Sequence, residues 1–137
     1  MKDRITLTVS SLLCIVLFSL HWADEVAHGL EPGTVSASGG LLILAVWLCG
    51  TLAFAETRAG LIVIFLGAVL ASGVPILHMT GRGLVLGRYG SPHGEFGMFF
   101  WVWTNIALGA SGMLSLVLSA RALWRALPSQ QVHTDGR

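Results

Sequence analysis

The chain has 137 residues, of which 54% are hydrophobic and only 11% charged, with a mean hydropathy of +0.76 and a formal net charge of +1. Soluble domains carry about 25% charged residues, so this composition excludes a nucleic-acid binder, a disordered chain and an ordinary cytosolic enzyme. A membrane helix uses about 20 residues, which leaves room for at most about six spans and for no sizeable soluble domain beside them.

Four long apolar runs follow one another, over residues 5–20, 39–55, 59–77 and 96–120, and charge occurs only at their edges. They predict an all-α polytopic membrane protein, four transmembrane helices packed as a small bundle, with spans of about 5–27, 39–56, 58–78 and 96–123. Residues 1–127 are expected to form one domain, and 128–137 a short cytoplasmic tail without order.

The first run begins as a signal peptide would, with Lys2 and Arg4 ahead of the apolar stretch, but residues 19–25 offer no small-x-small cleavage site. It is expected to remain as a span. Leu13 before Cys14 does not suit a lipoprotein cysteine, and Cys14 and Cys49 fall inside apolar runs, where a small packing role is expected rather than a disulfide. In the second run Ala45, Cys49 and Ala53 recur every four residues, and Ala107, Ser111, Ser115 and Ser119 do so in the fourth. Such ridges of small side chains let helix backbones approach, within the bundle, against other membrane subunits or in self-association. The short Glu56-Thr57-Arg58 link makes the second and third runs an antiparallel hairpin, and Pro75, after Gly73, is expected to loosen the end of the third.

Orientation follows from the basic residues. With the N-terminus inside, Lys2, Arg4, Arg58, Arg121, Arg125 and Arg137 face the cytoplasm and only Arg82 and Arg88 face outward. The expected placement is therefore the plasma (inner) membrane, multi-pass, with both termini cytoplasmic. Trp22, Trp101 and Trp103 then mark the outer boundary and Trp124 the inner one, with Trp47 in mid-span.

Under this topology the polar residues gather on the outer side. The end of the first span carries His21, Asp24, Glu25 and His28, which at 100° per residue share an arc of about 100°. Glu25 and His28 have the Glu-x-x-His spacing of carboxylate-bridged metal bundles, in a single copy. His78 ends the third span at a similar depth, so His21 and His78 are the candidate cofactor ligands. His21, Asp24, Glu25, His28, His78 and His93 are the candidate metal ligands, for a transition metal ion or a haem. The glycine-rich segment 80–95 is read as an outer loop able to fold over the site, with Asn105 lining the same pocket or making an interhelical hydrogen bond. It is no dinucleotide fingerprint, since no strand precedes it. The competing view is an ordinary interfacial helix end, where charge is cheap, although acids at a helix C-terminus call for something positive nearby.

Four functions fit this pattern, none with a catalytic residue assigned. An accessory or structural membrane subunit comes first, and an outer-face metal or haem protein second. A small transporter component lacks an ionisable residue near mid-membrane. A membrane-embedded metal-dependent hydrolase lacks a His-Glu-x-x-His or Gly-x-Ser-x-Gly element.

Overall fold

The computed structural model describes residues 2–27, 34–80 and 94–126, with side chains over 3–27, 38–77 and 99–126. The described residues form four helices and no strand: α1 (Lys2–Ala27), α2 (Thr34–Leu52), α3 (Arg58–Thr80) and α4 (Gly94–Arg125). Each packs against its neighbour in the chain, α4 closes back onto α1, and α3 and α4 share the most extensive contact. The result is an all-α four-helix bundle.

Three helices are long and apolar enough to cross a membrane: Asp3–Ala27, Arg58–Leu77 and Phe99–Arg125. The apolar part of α2, Ser38–Leu52, is shorter. At 19 residues α2 as a whole is about 28 Å long, against a hydrocarbon thickness of about 30 Å. The apolar run continues to Ala55, but the helix stops at Leu52 because residues 53–57 turn the chain. Thr57 organises that turn: its Oγ1 donates to Phe54 O at 2.8 Å and accepts from Gly60 N at 3.0 Å, capping α3. α3 then runs through Pro75 to Thr80.

The side chains are distributed unlike those of a soluble bundle, with large apolar residues on the outside as well as in the core. Leu13 and Val16 of α1, Leu41 and Leu42 of α2, Leu66 and Leu77 of α3, and Ile106 and Leu114 of α4 lie on the outside. Ser11, Thr51, Thr104, Asn105, Ser111, Ser115 and Ser119 lie within. An outer surface this apolar is untenable in water and natural in lipid. These are the helices of a small membrane protein.

Polar groups inside such a bundle have only the chain itself to supply partners, because lipid supplies none. Trp47 Nε1 donates to Ser11 Oγ at 3.0 Å, Ser11 lies 2.8 Å from Thr51 Oγ1, and Thr51 donates to Trp47 O at 2.9 Å. Each hydroxyl has one proton, so with Thr51's committed to the carbonyl, Ser11 donates to Thr51 and the chain of bonds closes on Trp47. It joins α1 to α2. The same indole meets Phe18 edge-on, with ring centroids 6.3 Å apart, and covers Gly67 of α3, where a Cβ would overlap the ring. Gly112 of α4 plays a similar part against the backbone of α3, since a Cβ there would stand 2.8 Å from Ser72 N.

The two small-residue ridges have opposite fates. Ser111, Ser115 and Ser119 are buried in the bundle, and Ser111 and Ser119 return their protons to the carbonyls of Ala107 and Ser115, four residues back. Ala45 and Cys49 of α2, with Ala53 just past its end, are exposed on the outside. Cys14, in contrast, is fully buried, as a packing role requires.

Ion pairs tie one end of the bundle together. Arg4 Nη1 meets Glu56 Oε1 at 2.9 Å, and Arg125 Nη1 meets Asp3 Oδ2 at 2.9 Å, so the start of α1, the α2–α3 turn and the end of α4 share that end. Exposed pairs of this kind add little stability.

The core yields a graded prediction for unfolding in detergent followed by circular dichroism. Trp47→Phe removes the indole donor and is expected to cost about 1 kcal/mol, the scale of an interhelical bond in a membrane protein. Gly67→Val forces α2 from α3 and is expected to cost more, about 1–3 kcal/mol. Equal stability of Gly67→Val and the parent would refute the close approach.

Candidate functional site

At the opposite end of the bundle the last turns of α1 bring three polar residues into partly or wholly enclosed positions. His21 is buried, at 2% exposure, while Asp24 and Glu25 are half-buried. One helical turn separates His21 from Glu25, and His21 Nε2 stands 3.4 Å from Glu25 Oε1. Across the helix interface, Asn105 of α4 places Nδ2 3.4 Å from His21 Nδ1 and donates to Trp101 O at 3.1 Å. The Trp101 ring lies over the imidazole, with centroids 5.8 Å apart.

These contacts assign the hydrogen positions. With one amide proton of Asn105 on the Trp101 carbonyl, the other points to Nδ1, which accepts. The imidazole proton therefore sits on Nε2 and faces Glu25. Both His21 distances lie at the long end of the hydrogen-bond range, so the ring is oriented from two sides without being tightly clamped. Asn105 Oδ1 is buried with no hydrogen-bond partner among the described residues.

The sequence-derived candidates divide accordingly. His21 and Glu25 are in contact, Asp24 lies on the adjacent turn, and Asn105 makes the interhelical contact to the same histidine. His78 belongs to the last turn of α3, but its side chain lies outside the described set. His28 and His93, the loop over 81–93 and the tail over 128–137 also lie outside the described residues. Among the described residues no three His, Cys, Asp or Glu side chains gather closely enough to hold an ion.

Two tryptophans behave unlike members of an interfacial belt. Trp101 turns inward, 5% exposed, as the lid of His21. Trp22 is half-buried and lies against Gly40, where a Cβ would stand 2.7 Å from its ring. Trp103 and Trp124 do face outward. Trp101 is the participant that sequence reasoning missed. Its position one turn before Asn105 was the available signal, since residues four apart share a helix face.

No protein-family model matches this chain, and neither a curated protein nor a solved structure matches it.

Asn105→Leu deprives His21 Nδ1 of its donor. It is expected to destabilise the bundle by about 0.6 kcal/mol, and at most about 1.7 kcal/mol, in detergent unfolding. Glu25→Gln keeps an acceptor near Nε2 and is expected to cost less. If Glu25→Gln proves the more damaging, a charged partner is required at Nε2 and the amide-oriented imidazole is wrong.

Proposed function

We propose that this protein is an accessory or structural subunit of a membrane assembly, set in the plasma (inner) membrane with both termini in the cytoplasm, and that α2 receives the partner. The observation that carries this reading is the exposed ridge of Ala45, Cys49 and Ala53. Helices in lipid gain nothing from apolar contact alone, so they associate where small residues let backbones approach. A ridge of that kind facing outward suits a helix from another subunit. Beside it runs a shallow apolar groove of about 190 Å³ between α2 and α3, bordered by Cys49, Gly50, Ala59 and Gly60 among others. The basic residues support the orientation, since Arg4, Arg58, Arg121 and Arg125 lie together at the end where α1 begins and α4 ends.

The environment of His21 favours this reading over a metal or haem protein. Nδ1 faces the Asn105 amide and Nε2 stands 3.4 Å from Glu25 Oε1, so a metal at His21 would have to displace one of these contacts. Elemental analysis and the visible spectrum of the purified chain are expected to show neither stoichiometric metal nor a Soret band. A stoichiometric ion lost in His21→Ala would replace the accessory reading with the metal one.

Cys49 provides a direct test, because Cys14 is buried and Cys49 exposed. A thiol-reactive cross-linker applied to native membranes is expected to join Cys49 to a second polypeptide, giving a product heavier than the 14.6 kDa chain. Cys49→Ser should abolish it, and Ala45→Leu with Ala53→Leu should reduce it severalfold while leaving unfolding unchanged. A product at twice the chain mass identifies self-association. A chain that purifies alone from mild detergent and forms no cross-link ends the proposal.

A further inference from the structure

At the end of the bundle where α1 begins and α4 ends lies a pocket of about 420 Å³ that the role of α2 does not use. Four arginines line it: Arg4 from α1, Arg58 from the first turn of α3, and Arg121 and Arg125 from the last turns of α4. Among the described residues Asp3 and Glu56 are the acids that oppose them there, leaving a local excess of two positive charges. Each of these acids is taken by one guanidinium, Glu56 by Arg4 and Asp3 by Arg125. Arg58 and Arg121 make no hydrogen bond or close ion pair among the described residues, and Arg121 acts on Asp3 only at longer range. The wall is apolar, formed by Leu7, which is 5% exposed, with Leu61 and Leu118.

Arginines at the cytoplasmic ends of helices are expected from topology alone, and there they are ordinarily solvated. Convergence is what differs here, although all four side chains remain exposed. Helices α1, α3 and α4 and the α2–α3 turn converge on one concavity, and Arg58 and Arg121, which have no close partner among the described residues, arrive from different helices. A guanidinium presents its donors as a planar fork that fits the oxygens of a phosphate. Leucines deeper in the same pocket suit hydrocarbon. Basic pockets between transmembrane helices on the cytoplasmic side are suited to anionic lipid headgroups for these reasons.

We propose that this pocket binds the phosphate of an anionic phospholipid headgroup, with Arg58 and Arg121 as the principal ligands and Arg4 and Arg125 held in place by their carboxylates. The proposal rests on the membrane placement alone, so a failure of Cys49 cross-linking leaves it standing.

Native mass spectrometry of the full-length chain, released from detergent, tests it with three probes: dioleoylphosphatidylglycerol, dioleoylphosphatidylcholine and inorganic phosphate. Phosphatidylglycerol is expected to remain bound at voltages that strip phosphatidylcholine. Arg58→Gln and Arg121→Gln should each weaken phosphatidylglycerol roughly fivefold, with circular dichroism and the unfolding midpoint unchanged. If the double variant does not fold, the two single variants carry the comparison. Lack of competition by millimolar inorganic phosphate assigns the ligand to lipid. Displacement of lipid by inorganic phosphate keeps the arginine site and reassigns its phosphate to a soluble source. Equal retention of the two lipids, or equal affinity of parent and variants, overturns the proposal.

Discussion

The side chain of Trp47 is the point on which the bundle depends. Its Nε1–H binds Ser11 of α1, its own carbonyl receives the Thr51 proton within α2, and its ring covers the bare backbone of Gly67 in α3. One residue thus sets the spacing of three helices. In water, Ser11 and Thr51 could exchange these bonds for solvent at small cost. In hydrocarbon the alternative is an unsatisfied polar group, so the closed chain of bonds favours one register of α1 against α2. Gly67 supplies the complementary condition, because any larger residue would lift α3 off the ring.

Around that centre the two ends of the bundle carry different chemistry. One end holds a sparse polar cluster, in which a buried imidazole is oriented by an amide on one side and a carboxylate on the other, under an aromatic lid. It is largely enclosed and built across one helix interface, with the Asn105 amide shared between Trp101 O and His21 Nδ1. The other end is wide and basic, with guanidiniums from three helices around a concavity and two carboxylates to hold part of them. Burial separates the roles. An enclosed polar cluster chiefly orients helices, whereas an open basic one remains available to an anion. The outward ridge of α2 is a third feature, and its smallness matters only because the corresponding ridge of α4 is already consumed inside the bundle.

Much of this was legible in the residues. Apolar runs broken by charge mark helices in lipid, and the four-residue recurrence of small side chains marks surfaces where backbones approach. The i,i+4 relation of His21 and Glu25 follows from helical geometry, and Asn105 stood out as an amide within an apolar run. Other features were not legible. Trp101 turns inward although tryptophans near a membrane boundary usually face lipid, and its one local signal is Asn105 a turn further on, on the same helix face. The four arginines could be placed at helix ends but not assembled into a pocket, since they are up to 121 residues apart in the chain.

The sequence by itself therefore determined the class: helices, their number, their apolar character and the ends at which charge collects. Those properties depend on composition and on a period of 3.6 residues, which are local. Tertiary structure decided which small ridge is buried and which is left on the outside, that Trp47 rather than any charged residue is the centre of the core, and that scattered arginines share one concavity. These outcomes depend on which faces of separate helices meet, and that is governed by the fit of particular side chains such as Trp47 on Gly67, not by any pattern within one helix.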